Sequence, residues 1–383
     1  MRFFFGLLVL VAACGTKKNA GPDGGGGVGN IGGSSGGGGG SGASGGAANG
    51  GGSAGISGMA GTGGGMAGTG GSMAGTGGAT IDASSQDHPG DTSSDAPRPT
   101  PKLIWTRTTP GWDAYFISGA ADGELWIATL GGGALQIRAD GTTSTTDVQL
   151  STSAHVTGLW VAGPNNAYIS AYANLVLHWD GSGTWKRDLM ASGTLFESVW
   201  GFGPTDVYAS ARGNPYHSTG DDKWTVQVVP GTTTAGFGPL GGTGPTDVWL
   251  AGTYGEIFRS SGDGNWRLET KTEVHEAIQL WVASPNEAYF ITLLQIMHRL
   301  PSTGNWVAEP APLVGDERIN SIWGSGSNDV YAGTDQGHLL HSVGDGVWRD
   351  EGYNLGVVIR GIWGRSASDV YLATSGGIYH GVP

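Results

Sequence analysis

Five histidines and one arginine return at nearly even intervals from residue 178 onward: His178, His217, Arg259, His298, His341 and His380. A second set of polar residues, Glu124, Asn166, Asp206, Asp247, Glu287, Asp329 and Asp369, sits two places before a recurring Trp or Tyr. Imidazoles and carboxylates in register are what a ring of metal ligands would need. A zinc site needs its ligands at ~2 Å from one ion. If the repeat is a ring of four-stranded units, copies of a third strand stand ~14 Å apart at a strand spacing of ~4.8 Å, so no metal site is expected. Asp and Asn at the head of a strand more often cap the preceding turn by accepting backbone N–H groups, and that is the role expected of the acidic set. The histidines are expected to bond the turn that follows them.

These residues are positioned by a repeat. Val199-Trp200-Gly201-Phe202-Gly203-Pro204-Thr205-Asp206-Val207-Tyr208 returns as Ile322-Trp323-Gly324 with Asp329-Val330-Tyr331, and as Ile362-Trp363-Gly364 with Asp369-Val370-Tyr371. The aromatic endpoints fall at 126, 168, 208, 249, 289, 331 and 371, a period of 40 to 42 residues. Each unit holds four short runs rich in aromatic and β-branched residues, cut by Gly, Pro, Asn and Asp, which read as strands. In the second unit the expected strands are 156–162, 167–171, 175–179 and 184–187. Four strands in about 40 residues is the pattern of a β-propeller blade, so the fold class is all-β, a seven-bladed propeller over residues 102–383. The last unit stops at Pro383, before its fourth strand. Trp105-Thr106-Arg107 matches Trp266-Arg267-Leu268 and Trp348-Arg349-Asp350, so residues 103–108 are expected to supply the missing strand and close the ring, which removes a free edge.

The turns Ser260 to Trp266 and Ser342 to Trp348, each of the form Ser-x-Gly-Asp-Gly-x-Trp, resemble the Asp-box turns of bacterial neuraminidase-repeat propellers, one residue shorter. The Trp-Gly and Asp-Val-Tyr strand pair is similar to the tectonin repeat of carbohydrate-binding propellers. The resemblance covers the blades alone and implies a binding scaffold. Its enzymatic counterpart is a glycan-active hydrolase of the sialidase type, which needs three convergent Arg, a Tyr–Glu nucleophile pair and an Asp acid. Only Arg318 and Arg360 fall on innermost strands here. No phosphate-binding Gly loop, paired-His metal motif or Ser-centred elbow is present, so neither an enzyme nor a cofactor is expected.

The first 101 residues are of another kind. Arg2 is followed by a mostly large, apolar run from Phe3 to Ala13, too short to cross a bilayer and suited to a signal peptide over residues 1–13. Val11-Ala12-Ala13-Cys14-Gly15 resembles the bacterial lipobox, which implies that Cys14 becomes a lipidated N-terminus. Cys14 is the single cysteine in the chain. Gly fills 31 of the 58 positions from 21 to 78, and Met-Ala-Gly-Thr-Gly-Gly recurs at 59, 66 and 73. Such a stretch has no apolar seam and loses much backbone entropy on ordering. Residues 14–101 are therefore expected to form a lipid-tethered, disordered linker with a coil span of ~50 Å.

All 15 Trp lie after this linker. Of the net charge of −13, close to −12 falls from Lys102 onward, which argues against nucleic acid or an anionic lipid surface as partner. The expected partner is a protein or a carbohydrate, bound by a monomeric propeller held in the cell envelope by its lipid anchor, at the outer membrane or cell surface. Variable loops on a rigid scaffold are where binding concentrates. The connections between blades share one face with the short turns after each second strand. The candidate ligand-binding residues on that face are His155, Tyr172, Glu197, Arg212, Tyr254, Glu276, Arg318, Asn320 and Arg360.

Overall fold

Seven four-stranded antiparallel sheets make up the chain from Ile104 to Val382. The structure is a computed structural model that describes residues 102–383 except 152, 153, 173, 190–193 and 232–235. The signal segment, Cys14 and the Gly-rich linker lie outside the described residues. Six blades take their strands in chain order, with innermost strands at Phe116–Gly119, Val156–Gly163, Phe196–Gly203, Phe237–Gly244, Gln279–Ser284 and Ile319–Gly326. In the second blade the strands are Val156–Gly163, Asn166–Ala171, Leu175–Trp179 and Trp185–Leu189, within two residues of expectation at each end. The seventh blade runs inside to outside as Ile359–Ser366, Asp369–Thr374, Gly377–Val382 and Ile104–Pro110. Ile104 pairs with Val382 and Trp105 with Gly381, so the first strand of the domain closes the last blade. It begins one residue later than 103 and runs two beyond 108, through a register shift between Arg107 and Thr109.

The core lies between sheets. Among the described residues the buried apolar side chains fall into seven clusters, one for each junction of neighbouring blades. Middle strands such as Leu175–Trp179 and Asp247–Gly252 are buried along their whole length, because both faces of each sheet are covered. Outer strands alternate, as Thr143–Asp147 does.

The Trp-Gly dipeptide of the repeat is a contact between blades. A Cβ built on Gly324 would stand 2.6 Å from Cη2 of Trp281, in the preceding blade; on Gly364, 2.6 Å from Trp323; on Gly201, 3.0 Å from Trp160; on Gly242, 3.1 Å from Trp200. The ring closes the same way, with Gly119 at 2.5 Å from Trp363. Each indole rests on the bare backbone of the next blade. Two blades break the motif, and they break it in complement. Ser118 and Gly241 stand where the Trp would be, opposite Trp126 and Trp249 across their strand pairs. The residues facing them in the next blade are Val161 and Val282 in place of Gly. The Val161 N–H bonds Ser118 Oγ at 3.0 Å, and Val282 lies 3.2 Å from a Cβ on Gly241. Where the large side chain is lost on one side, the space is filled from the other.

In blades 3 to 7 the polar register is a latch within the blade, and here the structure departs from expectation, whereas Glu124 of blade 1 does accept a turn N–H, from Asn165, along with the Trp126 indole. In those five blades the acidic residues of the second strand accept from side chains of the third strand, not chiefly from turn N–H groups. Asp206 meets His217 Nε2 at 2.7 Å, Glu287 meets His298 at 3.1 Å, Asp329 meets His341 at 2.9 Å and Asp369 meets His380 at 2.6 Å. Asp247 accepts from Arg259 Nε at 2.6 Å. The imidazoles of His178, His217, His298, His341 and His380 also lie over the Tyr beside them, with ring centroids 4.0 to 4.5 Å apart. Burial makes the bond to a carboxylate the stronger choice, because an unpaired imidazole or carboxylate away from water would lose solvation. The Trp that opens a fourth strand fastens its blade to the one before. Trp185, Trp224, Trp266 and Trp348 donate their indole N–H to Thr146, Asp188, Gln227 and Glu309 at 2.7 to 2.9 Å.

Two outcomes test this account. Trp281→Ser should open a hole and Gly324→Val should clash, while the pair, which copies the Ser118–Val161 junction, should cost less than the sum; denaturant titration of the cycle should give a coupling of ~1–2 kcal/mol. Burial raises the Asp369 carboxyl, but bonds from Arg365 and His380 outweigh it and leave its pKa below the usual range. A depressed folded pKa adds stability above the unfolded value of ~3.9 that is lost as pH falls. Asp369→Asn should therefore cost about 1–3 kcal/mol at pH 7, and its melting temperature should converge on that of the unsubstituted chain below pH 4.

Candidate functional site

One backbone bond recurs on the face that carries the interblade connections. The residue that follows the second strand donates its N–H to the carbonyl just ahead of, or at the start of, the innermost strand of the same blade. The pairs are Tyr172 to His155, Arg212 to Leu195, Thr253 to Gly236, Asp335 to Arg318 and Ser375 to Val358, at 2.8 to 3.1 Å. The backbone geometry is constant while the side chain changes from aromatic to cationic, hydroxylic and anionic. That combination presents different chemistry from fixed positions around a ring.

Four of the nine candidate residues meet across blades 2 and 3. His155 stacks on Tyr172 with ring centroids 5.0 Å apart and planes 15° from parallel. The Arg212 guanidinium lies over the other partner of that stack, 5.5 Å from the Tyr172 ring centre, and its Nε donates to Glu197 Oε1 at 3.2 Å. Burial pulls the His155 pKa down. Burial also pushes Glu197 up, with the Arg212 bond and charge opposing it. Both shifts mark a patch partly removed from water. A ligand that replaces the remaining water gains from bonds to groups already held in place.

Tyr254 and Glu276 are brought side by side. Tyr254 stands edge-on to His275, with centroids 6.2 Å apart at 86°, and the Glu276 N–H bonds the Thr253 carbonyl at 3.1 Å. Glu276 has φ of 62°, a left-handed conformation that a non-Gly residue adopts only under surrounding constraint. Arg318 is exposed and is tied to Asp335 through its backbone N–H at 2.8 Å. Asn320 lies half-buried on the innermost strand of blade 6.

Arg360 plays a different part. Its guanidinium pairs with Asp113 and lies 3.7 Å above the ring of Tyr115, in the segment leading into blade 1. Burial raises the Tyr115 pKa, with Arg360 opposing and Asp113 adding to the rise. Arg360 thus braces the junction of the last and first blades. Asp113, Tyr115 and His275 were not among the candidates. Neither were Leu293, Leu294 and Val314, exposed by 37%, 64% and 60%. Two adjacent leucines in a turn where other blades carry polar residues break the usual turn composition, and that break was the available signal.

The opposite face is built from near-identical turns. Asp263 and Asp345 each accept the N–H two residues on, from Asn265 at 3.0 Å and Val347 at 3.1 Å. In the same turns Gly262 and Gly344 are left-handed, and a Cβ there would stand 2.0 Å from the Pro245 carbonyl and 2.4 Å from that of Ser327. Among the described residues no group of three or more His, Cys, Asp or Glu is arranged to hold a metal ion.

No protein-family model and no curated protein matches the chain. Solved structures do. YCF48 bound to D1 peptide superposes with a TM-score of 0.59 at 14% identity, over 74% of this chain and 95% of that one. YCF48 from Cyanidioschyzon merolae gives 0.57 at 13%, over 73% and 98%. The extracellular domain of the putative one component system BT4673 from B. thetaiotaomicron gives 0.52 at 17%, over 72% of this chain and 39% of that chain. At these identities the likeness is one of fold, and the fold is a seven-bladed β-propeller.

Proposed function

We propose that this chain is a tethered recognition module that binds a protein segment through its loop face. The observation that carries the reading is the set of five equivalent positions, Tyr172, Arg212, Thr253, Asp335 and Ser375, which share one backbone bond and differ in side chain. A partner that reads such a face meets four kinds of group at five blades, which suits an extended, heterogeneous chain better than a repeating glycan. Exposed Tyr254, Leu293, Leu294 and Val314 offer apolar contact on the face that also carries the charged pair of Glu197 and Arg212. A propeller of the same architecture with a peptide bound, YCF48 with D1 peptide, supports a peptide over a sugar as occupant. Rigid scaffolds of this kind lose little entropy on binding, so a few anchored side chains carry most of the affinity.

The tether completes the proposal. Lipidation at Cys14, after export directed by residues 1–13, would hold the ring at the cell envelope on the linker of 14–101. Its support is the Val11-Ala12-Ala13-Cys14 sequence. Labelled-palmitate incorporation should be complete in the unsubstituted chain and absent from Cys14→Ser; retained label would refute the anchor.

A peptide library and a glycan array probed in parallel with the chain test the class of partner. Peptide hits are expected, and glycan hits alone would overturn the reading. With a bound peptide in hand, Arg212→Glu and Arg318→Glu should each weaken binding by at least about tenfold, or ~1.4 kcal/mol. Asp263→Lys and Asp345→Lys, on the opposite face, should leave it unchanged. The reverse ranking would move the site to the repeated turns. Arg360 is unsuited to the comparison, since its loss would also loosen the blade 7–1 junction.

A further inference from the structure

The junction between blade 6 and the last blade is unlike the others. Where blades 5 and 6 meet, Trp348 Nε1 donates to Glu309 Oε2 at 2.8 Å, and the other oxygen of Glu309 meets His298 Nδ1 at 2.7 Å. Blade 6 repeats half of this arrangement, with Glu351 Oε1 at 3.1 Å from His341 Nδ1. Trp105, on the closing strand, holds the place of Trp348. Among the described residues it makes no bond to Glu351. Its ring instead lies against Gly381, where an added Cβ would come within 2.8 Å of it. At the blade 4–5 junction Trp306 also lacks the bond, but Arg299 takes its place, reaching Glu269 at 2.9 Å and lying over Trp249. Nothing does so at the seam. What stands there is a cavity of about 120 Å³, open to solvent on one side, with Trp105, Tyr331 and Tyr353 as aromatic walls and Lys102, His341 and Glu351 as polar groups.

We propose that this seam cavity binds a single neutral, polyhydroxylated ring, a hexopyranose unit. Its charges disfavour ligands that carry a single charge of either sign. Glu351 opposes an anion. The Lys102 ammonium stands 5.8 Å from the Tyr353 ring centre, the position that an aromatic cation site would reserve for its ligand, and so opposes a second cation. Lys102 donates and Glu351 accepts, while both His341 nitrogens are already held by Glu351 and Asp329; a donor beside an acceptor matches hydroxyls, which do both. The aromatic walls suit the C–H face of a saturated ring. The cavity, about 120 Å³, is smaller than the ~150 Å³ that admits benzene, so one edge of a six-membered ring enters it and the remainder, with its substituents, stays on the open side. The site is formed from two parts of the chain far apart in sequence. Lys102 and Trp105 belong to the closing strand and its approach, and Tyr353 and Glu351 belong to blade 6, with Tyr353 Oη already bonded to the Leu103 carbonyl at 2.6 Å. A ring held between them pins the closing strand, and a ligand bound only by the folded state raises the unfolding temperature. The site lies on the outer strands, so it stands or falls apart from the loop-face reading.

The test uses the full chain with glucose, galactose, mannose and N-acetylglucosamine singly, and with tetramethylammonium and acetate as charged probes. Saturation-transfer NMR and thermal unfolding are read together. At least one hexose is expected to show transfer and to raise the melting temperature, and neither charged probe should. Glu351→Ala is expected to weaken that hexose at least tenfold, and Arg212→Glu, on the loop face, to leave it unchanged. Should Glu351→Ala fail to fold, Lys102→Met at the exposed rim is expected to weaken the hexose severalfold. No response to any hexose, a response to tetramethylammonium in its place, or unchanged hexose affinity in the folded seam variant would overturn the proposal.

Discussion

The contact on which this ring depends is an indole laid on a glycine. Each blade must approach the next closely at the inner end of the wedge, where space is least, and still bury enough apolar surface to hold. A Trp on one side and no side chain on the other meets both demands. The five Trp–Gly junctions and the two small-residue–Val junctions are two solutions to one volume constraint, and interiors packed at crystal-like density allow few others. The junction at Trp363 and Gly119 is where the last blade meets the first. The ring therefore closes by the same contact at its hub that joins every other pair of blades.

At the rim, closure is made differently. There the last blade borrows its outer strand from the beginning of the domain, pairing Ile104–Pro110 with Gly377–Val382. Backbone hydrogen bonds complete the sheet, while the side chains of the borrowed strand do not reproduce the indole N–H bond to the preceding blade made by Trp185, Trp224, Trp266 and Trp348. A strand that must enter from a linker and pair within one blade has its register set by backbone pairing first. Trp105 ends over Gly381, its own cross-strand partner, and Glu351 keeps only His341. The seam cavity is a consequence of this division between hub and rim.

The two faces of the ring follow from the same repetition. In blades 3, 4 and 6 the turns between third and fourth strands are held by Gly220, Gly262 and Gly344, which have no room for a Cβ, so these turns change little. The turns after the second strands are held by a backbone bond that places no demand on the side chain. Variation is thus permitted on one face and suppressed on the other, and the changeable face is where His155, Tyr172, Arg212 and Glu197 come together.

The sequence alone was sufficient for the architecture. A period of 40 to 42 residues with four extended runs determines a blade, and the likeness of Trp105-Thr106-Arg107 to the starts of other fourth strands determines closure. These are local signals, written in turn residues and aromatic spacing, and a closed ring leaves one way to arrange them. The acidic register was legible as a pattern but not as a latch. Asp206, Glu287, Asp329 and Asp369 reach their histidines across a strand pair, and which donor a carboxylate takes depends on burial that sheet stacking creates. Of the candidate site, the positions were readable and their grouping was not. Arg212 joining Tyr172 and Glu197, Arg360 turned aside to Asp113 and Tyr115, and the left-handed backbone at Glu276 are set by residues in neighbouring blades or distant loops. Only the tertiary structure decides such contacts, because side-chain direction in a loop is chosen by what it packs against, and that partner lies tens to hundreds of residues away.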